Sequence, residues 1–345
     1  MITPGARKKP GRRIDVDAVA ARIAEAQRPD GEIPWCDGLK TDPWDHVEAA
    51  MGLAVGGRLV EARRAFEWLK NRQNADGSWY AAYRNGIPED RTLDANMTSY
   101  VAVGLYHYHL ATGDRVLLEE MWDVMRRAID FAVGLQTPEG PVNWAVSPEG
   151  RVDPMSLLTG SSSIFMSLKC ALAVASILGR PATGWKASAL RLAAAIRHKR
   201  HLFNMTKSRF SMDWFYPVLS GALTGTDARK RLEKYWRKFV IEGQGVRCVF
   251  DEPWVTVAET CELVLALAAM GSEDAAHLVF GWISDKRYDD GSFWCGYTFP
   301  EMVIWPEDRL AWTNAAVLMA ADRLYRLTPA GRLFNHGFWA QSGLI

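Results

Sequence analysis

Acidic and aromatic side chains are concentrated in a few short segments of this chain, and those segments could carry chemistry. Five stand out: residues 41–50 (TDPWDHVEAA), 93–100 (LDANMTSY), 210–217 (FSMDWFYP), 250–260 (FDEPWVTVAET) and 305–312 (WPEDRLAW). Carboxylates accept hydrogen bonds from hydroxyl groups, and aromatic rings offer broad apolar faces. The mixture suits a sugar chain as ligand. The candidate binding residues are Trp44, His46, Asp94, Asp213, Trp214, Tyr216, Asp251, Glu252, Trp254, Glu262, Trp305 and Asp308.

Two carboxyl groups could cleave a glycosidic bond, one as the acid and the other as the base or nucleophile. The acid must be kept protonated by apolar surroundings while its partner stays ionised. We assign Asp45 and Glu259 to this pair. Asp45 begins a predicted helix between Trp44 and His46. Glu259 lies just inside an otherwise apolar helix, where a carboxylate is costly unless it faces a cavity. Glu262, one turn further on the same face, is the alternative to Glu259.

Other kinds of site find little support in the sequence. A helix-capping role competes with catalysis for any single aspartate at a helix start. His107 and His109 are two residues apart and point to different sides of a helix, so they do not predict a metal site. The serines at 161–163 lack the G-x-S-x-G pattern of a nucleophile elbow. No P-loop or G-x-G-x-x-G is present. The sequence therefore predicts neither a metal nor a cofactor.

Charge and cysteine usage narrow the class of protein. The 345 residues carry 41 Lys and Arg against 40 Asp and Glu, so no global field favours nucleic acid or an anionic membrane as partner. The five cysteines are scattered, the N-terminus lacks an apolar leader, and the longest apolar stretch, residues 170–178, is about half a bilayer span. These features predict a cytoplasmic protein. Residues 1–13 predict a disordered basic tail, and residues 14–345 a single catalytic domain.

Four similar segments mark turns that recur along the chain. Each places an acidic residue before a glycine and an aromatic residue shortly afterwards: QRPDGEIPW (27–35), QNADGSW (73–79), QTPEGPVNW (136–144) and RYDDGSFW (287–294). Glycine readily adopts the positive φ that tight turns after helices require, and the neighbouring acid can bond back to the turn. We therefore expect a helix end and a tight turn at each.

Paired helical stretches lie between these turns. One member of each pair is apolar nearly all round, as in residues 163–178, and the other is amphipathic and charged, as in residues 58–73. A helix that is apolar on all sides is buried, whereas one with a polar stripe lies at the surface. Six buried helices are predicted, starting near residues 44, 95, 158, 213, 254 and 308. Five surface helices follow them, and a sixth, from about residue 16 to residue 27, closes the ring. No run predicts a convincing strand.

The Q-x-x-D-G-S-W turns and paired helices resemble the (α/α)6 toroids of squalene cyclases, protein prenyltransferase β-subunits and many glycoside hydrolases. The resemblance implies an all-α six-hairpin barrel whose inner helices begin at the face that carries the site. The Asp-x-Asp-Asp cluster of terpene cyclases is missing. The zinc ligands of prenyltransferases have only a faint counterpart in Cys295, which follows Asp289 and Asp290.

Three segments, residues 210–223, 249–267 and 287–325, resemble an actinobacterial group often labelled prenyltransferase-like. This group includes an α-endomannosidase that acts on mycobacterial 3-O-methylmannose polysaccharide. The resemblance implies endo-cleavage of an α-1,4-linked, partly methylated mannan, and inversion is the commoner outcome in such toroids. Two alternatives remain open: an enzyme that binds an isoprenoid in the cavity, as terpenoid cyclases and prenyltransferases do, and a non-catalytic glycan-binding scaffold.

Overall fold

The computed structural model describes residues 14–344, and the predicted basic tail at 1–13 lies outside this range. Fourteen α-helices occur in the described part of the chain. Seven of them form or extend the inner ring: α2 (Pro43–Val55), α4 (Ala95–Ser99), α5 (Val101–Thr112), α7 (Leu158–Leu178), α9 (Ser211–Leu219), α11 (Val257–Ala269) and α13 (Ala311–Tyr325). Six lie outside them: α1 (Val16–Ala26), α3 (Leu59–Arg72), α6 (Val116–Gly134), α8 (Trp185–His198), α10 (Gly225–Phe239) and α12 (Glu273–Gly281).

The inner helices pack in chain order, and α13 packs back on α2, so the ring is closed. Each of α3, α6, α8, α10 and α12 packs on the inner helix that precedes it, and α1 packs on α13 and α2. Helices α4 and α5 are one inner member that is interrupted at Tyr100. The all-α toroid of six hairpins is confirmed. The outer helices are amphipathic, whereas the residues of α11 are all buried.

The recurring turns join neighbouring outer helices. In the second turn Gln73 Nε2 donates to the carbonyl oxygens of Gly77 (2.8 Å) and of Val124 on α6 (2.8 Å). Asp76 accepts from the amide of Ser78, as the turn chemistry predicts. Gly77 has φ 93°, and a Cβ there would lie 2.5 Å from a backbone oxygen of α6, so glycine is required. Equivalent glutamine bonds are made by Gln27 and Gln136.

Nine short strands lie in the long connections that enter the inner helices, although the sequence shows no convincing strand run. They form three antiparallel sheets. The bounds are β1 (Ala82–Arg84), β2 (Ile87–Asp90), β3 (Leu93–Asp94), β4 (Asn143–Val146), β5 (Val152–Ser156), β6 (Val240–Ile241), β7 (Gly245–Arg247), β8 (Trp254–Thr256) and β9 (Gly296–Thr298), paired as β1-β2, β3-β4-β5 and β6-β7-β8-β9. Strands of two to five residues leave too little periodicity to be read from sequence.

The C-terminal segment packs against the ring where the inner helices end. A 3₁₀ helix, Pro329–Phe334, packs on α5, α11 and α13, and α14 (His336–Ser342) follows it. His336 Nε2 lies 2.7 Å from the carbonyl oxygen of Val218 near the end of α9. The buried Lys169 donates to Ser220 O (2.6 Å) and stands over the ring of Trp339. One end of the toroid is therefore filled, which leaves the helix-start end for a ligand.

Helix α7 has the length and hydropathy of a membrane span. It is longer than the uninterrupted apolar run at residues 170–178. Its 21 residues have a mean hydropathy of 1.6 in the most apolar window, but 83% of that window is buried inside the ring. Burial among the other inner helices accounts for the apolar surface of α7. It is a core helix of the toroid.

Candidate active site

A cavity of about 360 Å³ opens where the inner helices begin. The second residue of every inner-ring member lines it: Trp44, Asn96, Thr159, Met212, Ala258 and Trp312. The six helices therefore present the same turn to a shared space, as the toroid implies. This regular placement makes the site a ring of stacked layers, each occupied by one helical position.

The third helical position holds the carboxyl groups of the predicted catalytic pair. Asp45 occupies it on α2 and Glu259 on α11, the two helices that flank α13, and both side chains line the cavity. Asp213 has the same position on α9. Its Oδ1 accepts from the amide (3.2 Å) and the hydroxyl (2.7 Å) of Thr159, and it does not line the cavity. Two of the three acids of this layer are thus available to a ligand.

The sixth position forms the floor of the site. Its occupants are Glu48, Tyr100, Ser163, Tyr216, Glu262 and Ala316. Glu48 Oε1 accepts hydrogen bonds from Trp44 Nε1 (2.8 Å) and from the Tyr100 hydroxyl (3.2 Å). The Tyr216 hydroxyl lies beside that of Tyr100 and near the charges of Glu48 and Glu262. A buried carboxyl pair therefore lies one turn below Asp45 and Glu259.

Burial keeps most of these acids protonated at higher pH than usual. Desolvation, followed by the neighbouring Asp42 and Glu48, raises the pKa of Asp45 well above its ordinary value. Desolvation raises the pKa of Glu48 to about 7, against the opposing hydrogen bonds from Trp44 and Tyr100. The pKa of Glu262 is also raised well above its usual range, by desolvation and then by the charges of Glu48 and Glu259.

Two aspartates at the cavity wall serve as helix caps. Asp42 caps α2 through the amide of Asp45 (2.9 Å) and accepts from Trp35 Nε1 (2.7 Å). Asp94 caps α4 through two backbone amides, at 2.8 and 2.9 Å. Burial nevertheless raises the pKa of Asp94 to about 6, despite these amide bonds. Both carboxylates line the cavity, so capping and ligand contact coexist at these positions.

Four indoles line the cavity: Trp35, Trp44, Trp144 and Trp312. Trp44 stacks on Tyr100 with ring centroids 4.7 Å apart, and Trp35 meets Trp312 edge to face at 6.2 Å. Within the described residues, the buried Nε1 atoms of Trp144 and Trp312 have no hydrogen-bond partner. Buried donors without a partner are costly, so a ligand hydroxyl is their natural complement.

The structure brings part of the predicted site together. Trp44, Asp45, Asp94, Glu259 and Glu262 line the cavity, and Tyr216 lies beneath them in the floor layer. The two predicted catalytic carboxyl groups therefore face one water-accessible space.

The structure places His46 outside the cavity. Its Nδ1 accepts from the Ile33 amide (3.1 Å), its Nε2 lies 2.9 Å from the Ala65 carbonyl oxygen, and its ring packs on Trp68. Although His46 follows Asp45 directly, the helical turn of about 100° per residue carries it to the outer face. The predicted substrate contact of His46 is therefore wrong, and the residue joins α2 to α3.

The remaining predicted residues also lie outside the cavity. Trp214 is buried against α10, where its Nε1 donates to the Arg231 carbonyl oxygen at 3.0 Å. Asp251 and Glu252 are exposed and pair with Arg209. Trp254 and the exposed Trp305 contact each other, and Asp308 lies near Cys36. Asp213 is bound to Thr159, as described above. The sequence places these residues near helix starts but not on the inward face.

The sequence analysis did not select several residues of the site: Trp35, Lys40, Asp42, Glu48, Met97, Trp144, Thr159 and Ser161. A register signal could have found Glu48. When the six inner helices are aligned from their first residues, Glu48 and Glu262 share the sixth position, three residues after Asp45 and Glu259. Trp144 offers no such signal, because a connecting strand carries it.

No family model matches the chain, but a curated relative covers nearly all of it. The MMP endo-(1,4)-3-O-methyl-alpha-D-mannosidase of Mycolicibacterium hassiacum is 49% identical over 316 residues, which is 92% of this chain and 88% of the relative. This relationship supports the family-level resemblance drawn from the sequence segments.

Solved structures share the fold at low sequence identity. A wild-type glycosidase has a TM-score of 0.69 at 15% identity and covers 90% of this chain and 96% of its own. A D-mannose isomerase has a TM-score of 0.68 at 10% identity, with the same coverage. A sugar epimerase from a ruminal bacterium has a TM-score of 0.66 at 11% identity, and covers 89% of this chain and 96% of its own. These TM-scores indicate a shared architecture. Because the sequence identities are low, they indicate nothing about function.

Proposed function

The chain belongs to the family of the MMP endo-(1,4)-3-O-methyl-alpha-D-mannosidase, and we propose that it cleaves an α-1,4-linked mannan that carries 3-O-methyl groups. It is a glycoside hydrolase of the (α/α)6 type. The observation that carries the assignment of its chemistry is the shared position of Asp45 and Glu259, which face one cavity from the two helices that flank α13. A carboxyl pair on opposite sides of a bound sugar is what glycoside hydrolysis needs.

Asp45 is the proton donor in this mechanism. Burial and the nearby Asp42 and Glu48 raise its pKa, so it holds a proton that it can give to the leaving glycosidic oxygen. Lys40 at the cavity wall opposes this effect. Because the donor must be protonated, we expect kcat/KM to fall on the alkaline side as Asp45 ionises.

Glu259 is the base that activates water. It is 9% exposed, and its buried Oε2 has no hydrogen-bond partner among the described residues. An acceptor atom free of protein donors can take the proton of a water molecule that attacks the anomeric carbon from the face opposite Asp45. This arrangement inverts the anomeric configuration. Glu48 and Glu262, whose pKa values are also raised by burial, lie one helical turn below the pair.

The cavity wall offers both polar and apolar contacts to a methylated sugar. Indole rings can stack on pyranose faces, while carboxyl groups and the free Nε1 donors of Trp144 and Trp312 meet hydroxyl groups. Apolar side chains complete the wall: Met97, Val142, Leu157, Ile164 and Met212. Methyl ethers cannot donate hydrogen bonds, so contact with these side chains avoids the cost of an unpaired polar group.

We further propose that residues 14–345 form one catalytic domain and that the protein acts in the cytoplasm. The closed ring leaves no inner helix without neighbours on both sides, as one domain requires. All five cysteines are free thiols, in keeping with a reducing compartment. The buried position of α7 argues against a membrane partner, and the near-neutral charge argues against nucleic acid.

A glycan panel tests this function. The full chain is incubated with α-1,4-mannooligosaccharides with and without 3-O-methyl groups and with α-1,4-glucooligosaccharides of equal length. We expect internal cleavage of the methylated mannan, seen as shorter oligosaccharides by mass spectrometry, and a new reducing end of inverted configuration by NMR. Preferential cleavage of the glucan, or no cleavage of any mannan, would refute the proposal. Retention of the anomeric configuration would refute the role given to Glu259, but it would not contradict the proposed substrate.

A further inference from the structure

A second cavity of about 200 Å³ lies on the outer side of α9, and it is lined by Asp213 but by neither Asp45 nor Glu259. Three basic residues line it: Arg200 from a 3₁₀ helix (Arg200–Leu202), and Arg231 and Lys238 from α10. The hydroxyl-bearing Ser208 and Tyr235 also line it. Donors therefore reach this space from three separate segments of the chain.

The positive charge of this cavity is only partly balanced by nearby acids, because Asp213 is the one carboxyl group in its wall. Within residues 14–344 no carboxylate lies at ion-pair distance from Arg200, Arg231 or Lys238. Asp213, the one acid in the wall, already accepts two hydrogen bonds from Thr159. Helix α10 carries six basic side chains and two acidic ones, although the whole chain has a net charge of only +1. The excess of positive charge is therefore confined to this part of the protein.

Arg231 is held rigidly at the cavity wall. Its Nε donates to Trp214 O (2.7 Å) and its Nη2 to Asp213 O (2.6 Å), while Nη1 makes no hydrogen bond within the described residues. Burial, followed by the charge of Arg200, lowers the pKa of Arg231 to about 10. The charge of Arg200 therefore acts on Arg231, Asp213 offsets part of this effect, and a bound anion would offset more of it.

Arg200 carries an unmet donor at the same place. Its buried Nε has no hydrogen-bond partner in the described part of the chain, and a buried donor left without an acceptor destabilises the fold. Guanidinium groups bind phosphate and carboxylate through paired N–H donors. Because donors here converge from several directions, a tetrahedral group with three or more acceptor oxygens fits better than a planar carboxylate.

We propose that this second cavity is a binding site for a phosphate group, held by Arg200, Arg231 and Lys238 with the hydroxyls of Ser208 and Tyr235. Pockets that enclose drug-sized ligands span about 300–1,000 Å³, so this smaller space takes a single phosphate or phosphomonoester. The site is separate from the glycan cavity and does not depend on the activity proposed for it.

Calorimetric titration of the full chain with inorganic phosphate tests the site, with chloride used to hold the ionic strength constant because screening weakens all surface charges. We expect one saturable site per chain. Arg200→Gln is expected to weaken binding about tenfold or more, the loss of one charge-assisted hydrogen bond. Lys207→Gln, which removes the same charge from an exposed neighbour outside the cavity, is expected to change affinity less than about twofold.

A second ligand and a second variant complete the test. Glycerol 3-phosphate is titrated beside inorganic phosphate, and saturable binding of either ligand supports the site. If Arg200→Gln does not fold, Lys238→Gln is titrated in its place, with the same expected loss. A response that does not saturate, or equal affinities in the Arg200→Gln and Lys207→Gln variants, would overturn the proposal. Cleavage of mannan in the same preparations reports separately on the glycosidase function.

Discussion

The starts of α2 and α9 carry the same residue type at the same helical position, yet the two aspartates have different environments. Asp45 and Asp213 are both third in their helices. Asp45 lines the cavity, where desolvation and then its acidic neighbours raise its pKa. Desolvation raises the pKa of Asp213 too, but the hydrogen bonds from the Thr159 hydroxyl and amide and the charge of Arg231 oppose this shift. Helical position brings an acid to the layer, but its partners decide whether it is free to react.

The neighbouring tryptophans show the same contrast. Trp44 precedes its aspartate and lines the cavity from the second position, whereas Trp214 follows its aspartate and packs against α10. Trp44 is second and Trp214 fourth in its helix. These two positions differ by a rotation of about 200°, so the order W-D or D-W decides which ring faces the cavity. The α2 and α11 side of the ring therefore presents acids to the cavity, whereas on the α9 side the acid and the indole are bound by other parts of the protein.

The largest expected effect is a difference in kcat between variants on the α2 and α11 side of the ring and a variant on the α9 side. Asp45→Asn and Glu259→Gln are each expected to lower kcat on an α-1,4-mannooligosaccharide by about 10²–10⁴-fold, the usual contribution of a general acid or base. Asp213→Asn keeps an acceptor for Thr159 and is the control at the same helical position. We expect it to retain most of the wild-type kcat. Circular dichroism confirms that the variants fold. Full turnover in both cavity variants would show that the catalytic pair is wrong.

The second prediction concerns the pH dependence of stability at the floor layer. The pKa of Glu48 is raised from 4.5 to about 7, so the folded state holds a proton that the unfolded state releases between these pH values. The free energy of unfolding should therefore fall as pH rises through this window, by on the order of 3 kcal/mol. Glu48→Gln stays neutral and should reduce this fall, to which Asp94, with its pKa raised to about 6, still contributes.

Urea unfolding from pH 4.5 to 8 measures this effect. Glu242→Gln removes an exposed glutamate and serves as the control, since its pH profile should match that of the wild type. A Glu48→Gln variant with an unchanged slope would mean that Glu48 ionises normally in the fold.

A third, smaller effect concerns the structural aspartate. Asp213→Ala leaves the amide and hydroxyl of Thr159 without their acceptor, and we expect the free energy of unfolding to fall by about 1–3 kcal/mol. Asp227→Ala, an exposed residue in the first turn of α10, is the comparison. If Asp213→Ala instead lost activity at unchanged stability, the contrast between α9 and α2 would disappear.

The smallest effect sharpens the description of the cavity wall. Trp312→Phe keeps the aromatic face but removes the unpartnered Nε1 donor. The loss of a hydrogen bond to substrate costs about 0.5–1.5 kcal/mol, or up to about tenfold in kcat/KM. Trp236→Phe, on the outer helix α10, should leave kcat/KM unchanged. Equal values for wild type and Trp312→Phe would indicate that this donor faces no sugar hydroxyl.

Much of the architecture could be predicted because it follows from local periodicity. The alternation of apolar and amphipathic stretches places all six inner helices, and the predicted starts at residues 44, 95 and 158 lie within one residue of the observed ones. The turn glycines have the expected positive φ. Starts predicted near 254 and 308 are about three residues early, since β8 and an irregular segment precede those helices. The short strands and the packing of the C-terminal segment depend on contacts between residues that are far apart in the chain, so local periodicity does not predict them.

The amino-acid sequence by itself determined the ring of hairpins and the presence of acids at the helix starts, because helix period, glycine turns and burial patterns are local properties. It also identified Asp45 and Glu259 as candidates for the catalytic pair. Only the tertiary structure decided which acids remain free. Thr159 reaches Asp213 from another helix, Arg209 neutralises Asp251, and Glu48 joins Glu262 beneath the cavity. These partners are far apart in the chain, so their distances and the resulting pKa shifts arise only when the ring closes.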